Sequence, residues 1–208
     1  MLKYINTVAL PFMAAIAIPS AIAEVSFPPP PVEPPPPVPP VEMAKVSPEK
    51  PKEMILSCIG CNSNESKTLS FFQDRGIKDK NSLATIMGNI RQESTFVPNI
   101  CEGGARVPYG SCGGGYGLIQ WTSSDRYYGL GKFAYKYGGS PSSLGTQLRY
   151  LVNEVQWRRI EPSMMAAGKT IPTYMGYCYS WLGWGIEGPR TRYAYDYAKR
   201  MILVPVES

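Results

Sequence analysis

The sequence predicts a mostly α-helical α+β domain with a small glycine-rich β or loop lobe, set behind an extended N-terminal region. Three observations predict it. Apolar residues recur at helical spacing in six stretches between Ser66 and Leu203. That rhythm breaks from Cys101 to Gly117, where Gly103, Gly104, Gly110, Gly113, Gly114 and Gly115 separate aromatic residues and two cysteines. Ten of the 21 prolines fall between Pro28 and Pro40, so the remainder of the 208 residues reads as one domain.

Taken in order, residues 1–23 hold one early lysine, Lys3, an apolar run from Val8 to Ile18, and Ala21-Ile22-Ala23 ahead of Glu24. This is the pattern of a cleaved secretory signal, with an uncleaved N-terminal anchor as the alternative. Pro11, Pro19 and the shortness of the run argue against a full bilayer crossing. Residues 24–53 form a linker. Its core should adopt polyproline II and span about 40 Å at about 3.1 Å per residue.

The domain then occupies residues 54–208. Ser66–Arg75 is a short amphipathic segment stopped by Gly76. Asn81 or Ser82 is positioned to cap the next helix, where Leu83, Ile86, Met87 and Ile90 follow the i, i+3, i+4, i+7 pattern of a buried face. Further helices are expected at Asp125–Tyr137, Leu144–Val155, Thr173–Leu182 and Arg190–Leu203. No internal repeat is evident.

Composition removes several function classes. Histidine is absent, which excludes Ser-His-Asp and Cys-His catalysis and every histidine-bearing zinc site. From Met54 onward 17 basic side chains face 11 acidic ones, but they are scattered with no basic run, so nucleic acid is not an expected partner. Cys101 and Cys112 can close an eleven-residue ring, worth roughly 3 kcal/mol in the chain-entropy picture. A local Cys58–Cys61 bridge is the favoured reading of Cys-Ile-Gly-Cys, with a four-cysteine zinc site as the alternative. Cys178 is the odd cysteine, either a buried thiol or paired outside the chain. Neither a cofactor nor a metal is expected.

Glu93 is the strongest chemical candidate. It lies seven residues after Ile86, about 20° from it around the helix, which puts a carboxyl group on the apolar stripe at the C-terminal end of the helix. Apolar surroundings and the negative end of the helix dipole both favour a protonated acid. The plainer reading is a buried glutamate that anchors the loop. Around it, Tyr109, Tyr116, Trp121, Tyr127, Tyr128, Trp181 and Trp184 supply aromatic faces, and Asn89, Gln92, Asn99 and Gln120 supply amides. That combination suits sugar rings and N-acetyl groups, although the same aromatics serve equally as core.

Two blocks carry a family resemblance. Gly88-Asn89-Ile90-Arg91-Gln92-Glu93-Ser94-Thr95-Phe96-Val97-Pro98-Asn99, followed by Gly114-Gly115-Tyr116-Gly117-Leu118-Ile119-Gln120-Trp121, resembles the phage tail lysozymes. The same blocks look like the Glu-Ser and Gly-Leu-Gln elements of lysozyme-like lytic transglycosylases, and the likeness extends over roughly Ser66 to Leu203, including Gln147-Leu148 and Gly188–Ala194. It implies a lysozyme-like fold that cuts the β-1,4 bond between N-acetylmuramic acid and N-acetylglucosamine in peptidoglycan. Glu93 takes the general-acid role. Tyr116 and Gln120 match the cleft segment, Gly115 and Gly117 let backbone approach the glycan, and Gln92, Asn99 and Trp121 complete the substrate-binding set.

A second carboxylate, if used, should be Glu102 or, as the weaker candidate, Asp125. Retaining glycosidases hold their two carboxyl groups about 5–5.5 Å apart and inverting ones about 6.5–9.5 Å. A lytic transglycosylase needs only Glu93, because the muramic 6-hydroxyl attacks within the substrate and gives a 1,6-anhydro product. The leader and spacer stand outside the resemblance. They fit either a virion tail protein or a wall-remodelling enzyme of a secretion or conjugation apparatus, at the virion, in the periplasm or outside the cell. A noncatalytic peptidoglycan-binding module is the competing class.

Overall fold

The computed structural model describes residues 53–206; the expected signal or anchor, and all but the last residue of the linker, lie outside them. The elements run β1 (Met54–Cys58), α1 (Ser63–Asp74), α2 (Lys80–Ser94), α3 (Ser124–Tyr137), α4 (Leu144–Asn153), α5 (Val155–Met165), α6 (Ile171–Leu182), α7 (Arg190–Arg200) and β2 (Met201–Pro205). The fold is mostly helical with a small two-stranded sheet, the α+β class that the sequence predicts.

Caps account for most helix starts. The Asn62 side chain accepts from Asn64 and Glu65 N–H while Glu65 accepts from Asn62 N–H, a complete capping box that begins α1 three residues ahead of the expected Ser66. Asp79 caps α2 in place of the expected Asn81 or Ser82, accepting from Ser82 N–H at 2.9 Å and tying in Gly168 N–H through its second oxygen. Thr170 precedes α6, and Pro172 sits in its first turn, where no N–H is missed.

Two regions depart from the sequence reading. α5 is an additional helix, with Trp157, Ile160 and Met164 buried along one face and Pro162 inside it. The sheet is built from the two ends of the domain rather than the glycine-rich block. β1 pairs antiparallel with β2, Cys58 opposite Met201, so α7 stops at Arg200 instead of running to Leu203. The buried Gln73 amide of α1 covers the open side of β1, accepting from Leu56 N–H at 2.7 Å and donating to Leu56 C=O at 2.9 Å. The glycine-rich block contains only isolated bridges, among them Cys101 with Tyr116 and Tyr116 with Trp121.

The main core is centred on Phe72, Ile86, Ile90, Trp157, Trp181 and Tyr197, all essentially inaccessible, and a small second cluster joins Ile171, Met175 and Ala194. Cys58–Cys61 and Cys101–Cys112 are disulfides, which takes all four sulfurs out of the zinc alternative. Cys178 is a free thiol buried in the core, where desolvation pushes its pKa up and makes it a packing residue. Among the described residues no helix is long and apolar enough to cross a membrane.

Burial also raises the hydroxyl pKa values of Tyr150 and Tyr197, the first reinforced by Glu154 and the second by its hydrogen bond to Glu65. In the unfolded chain both ionise near pH 10. Their contribution to stability is therefore complete below about pH 10 and is lost as the pH climbs toward the raised folded values. Urea unfolding midpoints should fall steadily from about pH 9.5 to about pH 11.5. A flat profile across that interval contradicts this assignment.

Candidate active site

The last turn of α2 ends abruptly. Thr95 and Phe96 both take left-handed backbone conformations, φ 48° and 61°, and Thr95 N–H closes the helix on Arg91 C=O. The turn sends the chain into the glycine-rich block and leaves Gln92 and Glu93 facing outward. Glu93 lines a depression of about 660 Å³ together with Gln92, Glu102, Gly115, Gln120 and Arg126, closed on the opposite side by Leu182, Gly183, Trp184 and Arg190.

Arg190 is the residue the sequence reading missed. Its Nη2 meets Glu93 Oε1 at 2.5 Å, its Nη1 donates to Ile186 and Glu187 C=O, and its guanidinium lies 4.8 Å from the Trp184 ring centre. Glu93 therefore faces a guanidinium and a mostly polar lining in place of the expected apolar surroundings, its side chain 15% exposed against 7% for Arg190. The two helices can come this close because residue 88 has no Cβ. A methyl group there would stand 2.6 Å from Ala194 N and 2.8 Å from Arg190 O. No sequence spacing marks Arg190 as a partner of Glu93, since the two are 97 residues apart.

A set of buried polar side chains holds the other wall. Ser94, next to Glu93, donates to Leu118 C=O at 2.8 Å and so joins α2 to the Gly-Leu-Gln segment. The Gln147 amide of α4 accepts from Leu118 N–H and donates to Pro98 and Pro141 C=O, all within 2.7 Å. Gly117, at φ 74°, leaves the space that this amide fills, since a Cβ there would lie 2.6 Å from Gln147 Nε2. Glu154 receives Trp121 Nε1–H and both arms of Arg126, an ion pair at 2.7 Å.

These contacts sort the sequence-predicted residues. Glu93, Glu102, Gln92, Gly115 and Gln120 share the depression. Glu102 leans over Gly114, where a Cβ would collide with its carboxylate, and its Oε2 accepts Gly115 N–H at 3.0 Å. Asp125 does not join them; it starts α3 and lines a separate hollow with Tyr109, Tyr128 and Lys132. Tyr116 and Trp121 are completely buried, so their rings support the wall from behind and cannot touch a sugar. Gly117 makes room for Gln147 rather than for a ligand. Asn99 contributes backbone, its C=O accepting from Val107 N–H, and does not line the depression. Asn89 is buried against Met175.

The arrangement offers two carboxyl groups, amides and one aromatic face around a solvent-open depression, a set suited to a polyhydroxylated substrate and to proton transfer. The phage tail lysozyme family model matches residues 63–199. No curated protein matches the chain.

The close contact at Gly88 has a measurable consequence. In an unobstructed helix interior Gly→Ala gains up to about 1 kcal/mol, but here the methyl group meets backbone. Gly88→Ala should be destabilised by about 1–3 kcal/mol. Gly176→Ala, where the added carbon has no neighbour within 4 Å, should gain a few tenths of a kcal/mol or more. Equal stabilities for the two variants in urea unfolding would remove the claim that α2 and α7 meet through Gly88.

Proposed function

Because the chain belongs to the phage tail lysozyme family, we propose that it cuts the β-1,4 bond between N-acetylmuramic acid and N-acetylglucosamine, with Glu93 as the general acid. The observation that carries this reading is the position of Glu93 in the depression it shares with Glu102, Gln92 and Gln120. Glu93 gives its proton to the glycosidic oxygen as the muramic ring gains oxocarbenium character. It leaves that step as a carboxylate, and Arg190 then keeps it aimed into the cleft. Arg190 keeps the C=O groups of Ile186 and Glu187 on Nη1 in either protonation state of Glu93, so its position does not depend on the proton.

Glu102 is the second carboxylate in this reading. Gly115 N–H fixes one of its oxygens and leaves the other for the incoming water or the sugar. Asp125, in its own hollow, has no part. The same hydrogen bond favours a second reading, lytic transglycosylation, in which Glu102 only shapes the loop and Glu93 works alone on the muramic 6-hydroxyl. The substrate makes the partner peptidoglycan, and the family membership supports a location at a virion tail or outside the cell. The basic surplus assists approach to anionic wall polymers in low salt.

Glu93→Gln preserves the size of the side chain and an acceptor for Arg190, so it should fold, bind glycan and lose about 10²–10⁴-fold in kcat. Unchanged turnover of purified peptidoglycan by this variant removes Glu93 from the chemistry, whereas a wild-type protein that binds the glycan without cutting it leaves the noncatalytic binding module as the better account. Glu102→Gln should lose a comparable factor if water is activated there. Near wild-type turnover in that variant selects the transglycosylase reading.

A further inference from the structure

Trp184 lines both the depression that holds Glu93 and a neighbouring one of about 310 Å³ shared with Pro172, Met175, Gly176, Tyr179 and Glu187. The Tyr179 ring meets Trp184 edge to face, centroids 5.4 Å apart at 75°, and is itself 55% exposed. Two aromatic rings nearly at right angles, an exposed Tyr179 and a half-buried Trp184, therefore stand beside the candidate cleft. The contacts are continuous: Glu93 binds Arg190, Arg190 lies against Trp184, and Trp184 meets Tyr179.

Trp184 is half-buried, one part of it packed on the core and the rest left to line the two depressions. Trp181, three residues earlier, already fills the core and is 1% exposed, whereas Trp184 sits beyond the Gly183 cap on the loop leading to Pro189. Arg190 fixes that loop by binding the carbonyls of Ile186 and Glu187, so the aromatic corner is held in place before any ligand arrives. At position 176 the wall is bare helix backbone, with nothing within 4 Å of where a Cβ would stand.

We propose that this aromatic corner is an accessory subsite for the glycan strand, taking an N-acetylated hexose unit beyond those in the Glu93 depression. The inference rests on the glycan-cleaving reading given above. Aromatic walls match the C–H faces of a hexose and the methyl group of an acetamide. Glu187, whose Oε1 already accepts from Thr191, offers its remaining oxygen to a sugar hydroxyl or amide N–H. No cationic side chain lines the depression, and a carboxylate in it repels the carboxylates of a wall stem peptide. The chemistry thus selects the sugar over the peptide.

The test uses the full chain with peptidoglycan strands stripped of stem peptides and sorted by length. Tyr179→Ala removes one wall, and Gly176→Leu fills the depression from a position with room for it. Each should lower the long-over-short ratio of kcat/KM by about three- to tenfold, the value of one stacked aromatic contact. A ratio unchanged in both variants overturns the subsite, as does an effect that appears only on strands still carrying peptides. Tryptophan fluorescence titrations with the same stripped strands read the corner without cleavage. A chain that cuts no glycan contradicts the proposed activity alone, whereas affinity for long strands indifferent to both substitutions contradicts the subsite alone.

Discussion

The close approach of α2 and α7 at Gly88 is the constraint on which the candidate site depends. Glu93 lies five residues after Gly88, and Arg190 lies on the facing helix, so their 2.5 Å contact exists only at the interhelical distance that the missing Cβ permits. Arg190 in turn holds the loop that carries Trp184. A backbone contact in the interior thus fixes the carboxyl group and the aromatic wall of the cleft together. The cost of burying Arg190 is offset by Glu93 and two backbone carbonyls, although its Nε keeps no partner. Removing Glu93 outright would strand a buried cation, which is why an isosteric amide is the informative replacement.

The opposite wall is glycine-rich and has little regular structure, so something other than a ladder must hold it. Three buried polar side chains do so from rigid helices: Ser94 from α2, Gln147 from α4, and Glu154 between α4 and α5. Each satisfies groups that an irregular loop would otherwise leave unpaired. The Cys101–Cys112 bridge ties the two sides of the loop together, and Glu102 lies within that ring. The pattern is a flexible-looking segment made rigid by its surroundings, as positioning of a carboxylate requires. The serine of the Glu-Ser pair and the glutamine of α4 are therefore as much part of the site as the residues that face solvent.

Local patterns were the legible part of the chain. The buried stripe of Leu83, Ile86, Met87 and Ile90, the position of Glu93 at its end, the character of the 101–117 block and both disulfides can be read from spacing or composition, and two separated motifs carry the family. Non-local pairings left no such trace. β1 and β2 lie at opposite ends of the domain, and nothing within either five-residue run names the other. The Trp157, Ile160, Met164 stripe of α5 was obscured by Pro162, which normally argues against a helix. Trp121 and Tyr116 looked like sugar platforms because aromatic residues beside glycines suit both a cleft and a core, and burial alone separates the two. Arg190 was unreadable for the same reason as the sheet, whereas Gly88 stood in plain view with its role hidden.

The central claim is that Glu93 and Glu102 share a cleft that hydrolyses the glycan. Mass spectrometry of the fragments released from peptidoglycan by the purified protein tests it most directly. Hydrolysis leaves muramic acid with an ordinary hydrated reducing end, and that is the product this account predicts. Fragments ending in 1,6-anhydromuramic acid would contradict the role given to Glu102, and glycan recovered uncut would contradict the role given to Glu93.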